Sequence, residues 1–206
     1  KITMVANGVV TPGSLPDRPT PKSEWTIGSV ALFRPRKGVE VLIQALSNLR
    51  QMGEVVRLRA VGPFETVEYE ETIKEMAARL GVADMIDWIG FAQNVNAEFA
   101  KMDVLVLPSL FGEGMPMVIL EAMAMGVPVV ASDVEGIPEV LQHAHTGLVV
   151  PAGDAPQLAS ALFDLINNKY NWAAMRADAY SLQVKSFSDH SMAAGVARVY
   201  NRILAR

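Results

Sequence analysis

Two glutamates eight residues apart are the sharpest chemical feature of the chain: Glu113 in a glycine-flanked loop and Glu121 inside an apolar run, both in the stretch 108–121, Pro-Ser-Leu-Phe-Gly-Glu-Gly-Met-Pro-Met-Val-Ile-Leu-Glu. A carboxylate among apolar neighbours is costly unless it is paired, or else its pKa moves. Glu121 is therefore either a ligand contact or half of an internal pair. Pro116 suits the first position of a helix, where a missing amide hydrogen costs nothing, which leaves the amides of Met117 and Val118 open toward the loop. A second candidate is 34–38, Arg-Pro-Arg-Lys-Gly, with three cations in four residues between a strand and a helix. Guanidinium and ammonium groups add there to the positive field of a helix start and suit a phosphate or diphosphate; a solvated surface loop is the plainer alternative. A third is Gly62, in Val-Gly-Pro-Phe at a strand end, where the backbone can approach a ligand or simply turn.

These groups need a scaffold, and the hydropathy pattern supplies one. Short apolar runs at 26–33, 57–61, 85–89, 104–107 and 127–131 read as strands, and amphipathic runs at 39–52, 67–80, 95–102 and 116–125 read as the helices between them. That alternation predicts an α/β fold, a Rossmann-like doubly wound parallel sheet covered on both faces. Beyond Asp154 the strands stop and helices are expected at 155–168, 172–184 and 189–204. In the last of these Met192, Val196, Val199 and Ile203 make one apolar stripe, which must cap the sheet or dock on a neighbouring domain. Residues 1–24 read as an opening strand and a linker rich in proline (Pro12, Pro16, Pro19, Pro21), 25–186 as the ligand-binding domain, and 187–206 as a helix expected to dock on an N-terminal domain outside this chain. The start at Lys1, with no initiator methionine and no leader pattern, suggests a piece of a longer protein.

Composition narrows the chemistry. The 206 residues include 18 Lys+Arg against 22 Asp+Glu, a formal net charge of −4, which argues against a nucleic-acid partner gripped by a broad basic face. With no cysteine there is no thiolate nucleophile and no disulfide framework. No apolar run is long enough to cross a membrane, and a cytoplasmic location is the expectation, with peripheral membrane contact left to a missing domain. His143 and His145 flank an alanine and read as loop residues rather than metal ligands, and His190 opens the last helix.

The stretch 108–154 resembles the donor-binding half of GT-B-fold glycosyltransferases, specifically glycosyltransferase family 4. The resemblance rests on Pro108-Ser109, Glu113, the run Glu121-Ala-Met-Ala-Met-Gly-Val-Pro-Val-Val130, Gly136-Ile-Pro-Glu-Val140 and Thr146-Gly-Leu-Val-Val-Pro151, and extends back to Asn7-Gly-Val9. It implies a nucleoside-diphosphate sugar as substrate and an N-terminal acceptor domain as partner. By the same resemblance Glu113 binds donor-sugar hydroxyls, the amides of Gly114, Met115, Met117 and Val118 support the sugar and diphosphate, Glu121 accepts from the ribose hydroxyls, and the base lies between Gly62 and Gly90-Phe91. Lys37 matches the family lysine that meets the diphosphate. The family arginine position, however, holds Leu32, so that Arg34 or Arg36 must supply the charge or it is absent. The resemblance also implies transfer with retained anomeric configuration and no metal or other cofactor, in keeping with the lack of an Asp-x-Asp run. A binding module of the same fold that has lost transfer is the alternative, favoured by Leu32. A nicotinamide dehydrogenase half or a P-loop protein fits poorly, because no Gly-x-Gly-x-x-Gly follows the first strand and no Gly-Lys-Ser/Thr occurs.

Overall fold

The computed structural model describes residues 2–21 and 23–205. Six strands, β1 (Trp25–Val30), β2 (Val56–Val61), β3 (Ile86–Gly90), β4 (Val104–Leu107), β5 (Val129–Ser132) and β6 (Leu148–Val150), form one sheet in the order β3-β2-β1-β4-β5-β6. Every pairing in it is parallel. Alternation along each strand assigns its side chains to two cores. Ile27, Leu58, Val104, Val106 and Val130 face one layer, covered by α1 (Val39–Gln51), α2 (Val67–Arg79) and α6 (Ala155–Ile166). Leu105, Leu107, Val129 and Ala131 face the other, covered by α3 (Val95–Phe99), α4 (Met117–Ala124), α5 (Ile137–Val140) and α7 (Trp172–Leu182). The doubly wound Rossmann-like sheet expected from the sequence is thus present.

The helix starts differ in a way that bears on function. Thr66, Asn94, Asp154 and Asn171 cap α2, α3, α6 and α7 by accepting the backbone N–H three residues on, and Ser188 does the same for α8 (Asp189–Leu204). Helices α1, α4 and the short α5 begin at Gly38, Pro116 and Gly136 with no side-chain cap. Pro116, expected at the first helical position, instead occupies the cap itself with an extended backbone (ψ 111°), so the helix begins one residue later at Met117.

Three other expectations change. Strand β1 ends at Val30, and Phe33 makes only an isolated bridge to Phe64. Strand β6 and helix α5 are additional, too short for their periods to be read. Among the described opening residues, 2–8 form no strand, and the chain there runs beside the segment that leads into α8 rather than along the sheet. Val9 bridges Ser188, and Gly8 lies so close that a Cβ there would stand 2.3 Å from the Ser188 carbonyl oxygen. The proline-rich segment is irregular yet pinned to α7: Tyr180 donates to the Pro12 carbonyl (2.6 Å) and Arg176 to the Pro16 carbonyl (2.7 Å). The apolar stripe of α8 does not cap the sheet. Met192 and Val199 are half-buried, while Val196 and Ile203 are 40% and 62% exposed.

Candidate functional site

From β1 the chain winds outward to β2 and β3, then returns to the middle of the sheet as β4. The β1 and β4 loops therefore leave in opposite directions and open a crevice at the carboxyl ends, the place where doubly wound sheets bind ligands. The loops meet there at Gly38. Its left-handed backbone (φ 66°) and its closeness to the Pro108 carbonyl, 2.0 Å from where a Cβ would lie, admit no side chain. The Leu110 N–H donates to the Arg36 carbonyl (2.8 Å) and completes the junction.

This contact brings the two main sequence candidates together. Lys37 donates to Oε1 of Glu113 in an ion pair. The Ser109 hydroxyl donates to the same oxygen at 2.6 Å, and Nη1 of Arg36 stands 4.0 Å from it. Oε2 receives none of these contacts, so a buried, pre-neutralised carboxylate keeps one oxygen for a further donor.

The same loop is held by a residue that the sequence reading passed over. Glu135, in the turn after β5, accepts the Gly112 N–H at 3.0 Å and the Glu113 N–H at 2.9 Å. These two amides, helped by Arg36, hold its carboxyl below the usual carboxylate range. On the other side Arg36 donates to the carbonyls of Gly112 (2.9 Å) and Phe111 (3.4 Å).

The remaining candidates lie apart. Arg34, in extended backbone before a short 3-10 turn at Pro35–Lys37, turns toward β2 and pairs with Glu65 (3.4 Å); Arg36, inside the turn, is the arginine at Glu113. Glu121 lies on the half-exposed side of α4 with Met117, Val118 and Met125, and burial alone pushes its carboxyl above the usual range. Among the described residues no cation pairs with it. Gly62 (φ 126°) is accounted for by packing: a Cβ would lie 1.8 Å from the Ala31 carbonyl oxygen, and its N–H donates to Gly90 O at 2.7 Å. That bond joins the β2 and β3 ends where the base was expected, and Phe91 beside them is 78% exposed. Around Gly114 a Cβ would meet no atom within 4 Å, so the loop is open there, next to half-buried Met115. His143, His145 and His190 are exposed, and among the described residues no three His, Cys, Asp or Glu side chains are grouped to hold a metal ion.

A parallel sheet in this order, with an acid–lysine pair and two uncapped helix starts around its switch point, defines a Rossmann-like domain. The family described as glycosyl transferases group 1 matches residues 14–181, and the chain belongs to it, with the GT-B type of fold. The phosphatidyl-myo-inositol mannosyltransferase of Mycobacterium leprae is 32% identical over 209 residues, covering 97% of this chain and 53% of that protein. This chain thus spans about half the length of that relative. The crystal structure of Anabaena HepE in complex with UDP shares the fold with a TM-score of 0.81 at 24% identity, over 87% of this chain and 49% of that one. The C-terminal domain of a glycosyl transferase group 1 family protein (LpcC) from Francisella tularensis does so with a TM-score of 0.73 at 21% identity, over 80% of this chain and 87% of that one.

Proposed function

We propose that this chain is the donor-binding half of a retaining glycosyltransferase of family 4, which moves a sugar from a nucleoside-diphosphate sugar to an acceptor held by an N-terminal domain. The observation that carries the reading is the Lys37–Glu113 pair at the switch point, between the uncapped starts of α1 and α4. The open amides of Met117 and Val118 receive the diphosphate, and Lys37 neutralises the charge that grows on it as the bond to the anomeric carbon breaks. Glu113 offers Oε2 to the sugar hydroxyls, and Glu121 accepts from the ribose. The half-empty stripe of α8 and the exposed opening residues Ile2 and Met4 face the acceptor domain. The cations and amides do the electrostatic work of transfer without a metal, on the cytoplasmic side.

A second reading, a binding module without transfer, draws on Leu32 at the family arginine position and on Arg34 being engaged by Glu65. A thermal-shift panel of UDP, GDP, ADP and their glucose or mannose conjugates tests both. Stabilisation by at least one, lost in Glu121→Ala and weakened in Lys37→Ala, is expected; no response to any of them sinks the donor-site reading. If full-length protein binds donor and never turns it over, the module reading stands.

A further inference from the structure

We propose that Glu135 is a positioning residue, which sets where Glu113 presents its carboxylate and so governs how much the sugar adds to donor affinity. The inference rests on the reading above that Glu113 meets the donor sugar.

Glu135 is exposed at the C-terminal end of β5 and has a backbone φ of 35°, one of three non-glycine residues at positive φ among those described. A glycine would take that conformation without strain. What glutamate contributes is a side chain whose two oxygens each take one amide of the neighbouring loop, Gly112 and Glu113. The clamp is two-sided. Arg36 holds the Phe111 and Gly112 carbonyls while Glu135 holds the next N–H groups, so the peptide that leads into Glu113 is fixed from both edges. The turn is stitched to the loop a second time, by the Gly136 N–H to the Glu113 carbonyl at 3.0 Å. Strained backbone sustained by its surroundings is what a precise site requires. Among the described residues Glu135 bonds to the backbone N–H of Glu113 and not to its carboxylate, so its effect on the donor runs through the loop.

The test uses Glu135→Gly and Glu135→Gln with calorimetric titrations of UDP against UDP-glucose and of GDP against GDP-mannose, together with amide hydrogen exchange. In Glu135→Gly, affinity for the nucleoside diphosphate should stay within about twofold of wild type, while the extra affinity conferred by the sugar falls by about fivefold or more, as expected for one lost or misaligned hydrogen bond. The Gly112 and Glu113 amides should exchange about tenfold faster as the loop opens locally. Glu135→Gln retains one acceptor and should fall between; it also carries the test if the glycine variant does not fold. An unchanged sugar increment, unchanged exchange at both amides, or equal weakening of diphosphate and sugar conjugate each overturns the proposal. If wild-type chain binds neither pair, the donor-site reading itself fails and the positioning role with it, a result distinguishable from normal binding with an unaltered increment.

Discussion

Replacing Lys37 with methionine should unmask the cost of the buried carboxylate beside it. The Lys37 and Glu113 side chains are 14% and 6% exposed, so this is a pair largely withdrawn from water. Removing one partner of such a pair costs about 3–5 kcal/mol. The Ser109 hydroxyl at 2.6 Å and Arg36 at 4.0 Å remain on Glu113 and reduce that to roughly 2–3 kcal/mol. For a chain of this size the loss corresponds to a fall in Tm of roughly 5–10 °C. Glu113→Gln should cost less, about 1–2 kcal/mol, because the freed ammonium can reach water. The double variant removes both charges and should cost less than the two single losses combined, with a coupling of roughly 2 kcal/mol. Urea unfolding of the four chains at low and high salt measures it, and the coupling should survive high salt because a buried pair is weakly screened. Additivity within about 0.5 kcal/mol at both salts would refute the claim that the two groups form one buried unit.

Other residues give independent checks. Burial holds the Glu121 carboxyl above its ordinary value, so it favours folding only below the unfolded-state pKa and opposes it as pH rises through the folded one; Glu121→Gln should raise Tm by roughly one or two degrees at pH 7, lose that gain near pH 3, and weaken nucleotide binding in the same preparation. Gly136→Ala places a Cβ 1.5 Å from the Gly114 carbonyl oxygen and should destabilise by about 2–4 kcal/mol in chemical denaturation. Gly114→Ala meets no atom within 4 Å and should leave Tm within about 2 °C while still impeding donor binding. Arg176 donates to the Gly126 (2.6 Å) and Pro16 carbonyls and lies 4.7 Å over the Trp172 ring; Arg176→Met should cost about 2–3 kcal/mol and make residues 12–18 newly sensitive to limited proteolysis.

The strands and helices were legible wherever a period had room to repeat. Helix α8 was expected at 189–204 and spans Asp189–Leu204, but its stripe announced only that something must cover it, and in this chain much of it stays exposed. Strand β6, three residues long, leaves no periodic trace. Lys37 and Glu113 could be found because charge and glycine in a strand-end loop are visible in residue types. Choosing between Arg34 and Arg36 was not possible by type, since it depends on the backbone. The 3-10 turn beginning at Pro35 carries Arg36 and Lys37 toward the β4 loop, while the extended Arg34 is left facing Glu65. Glu135 was invisible for a different reason: its partners are backbone amides 22 and 23 residues away, and amides carry no sequence signature.

Three consecutive neighbours in the sheet each send one residue to the same point: Lys37 from the end of β1, Glu113 from β4, Glu135 from β5. The β1 end lies on one side of the switch point and the other two lie across it, so the cluster exists only when the strands that wind outward and those that wind back have both assembled. This explains why glycine is required at the junctions. Gly38 lets the β1 loop touch the β4 loop, and Gly136 lets the β5 turn touch it from the far side. A buried lysine–glutamate pair is a poor device for stability, since apolar residues of similar volume often do as well or better. A ligand that completes the pair would account for its presence. A diphosphate at the α4 start would draw on Lys37, and the hydroxyls of the attached sugar would give Glu113 the donors it then lacks. On the proposed donor-site reading, the pair balances its own charges and would be divided between the two halves of a bound donor.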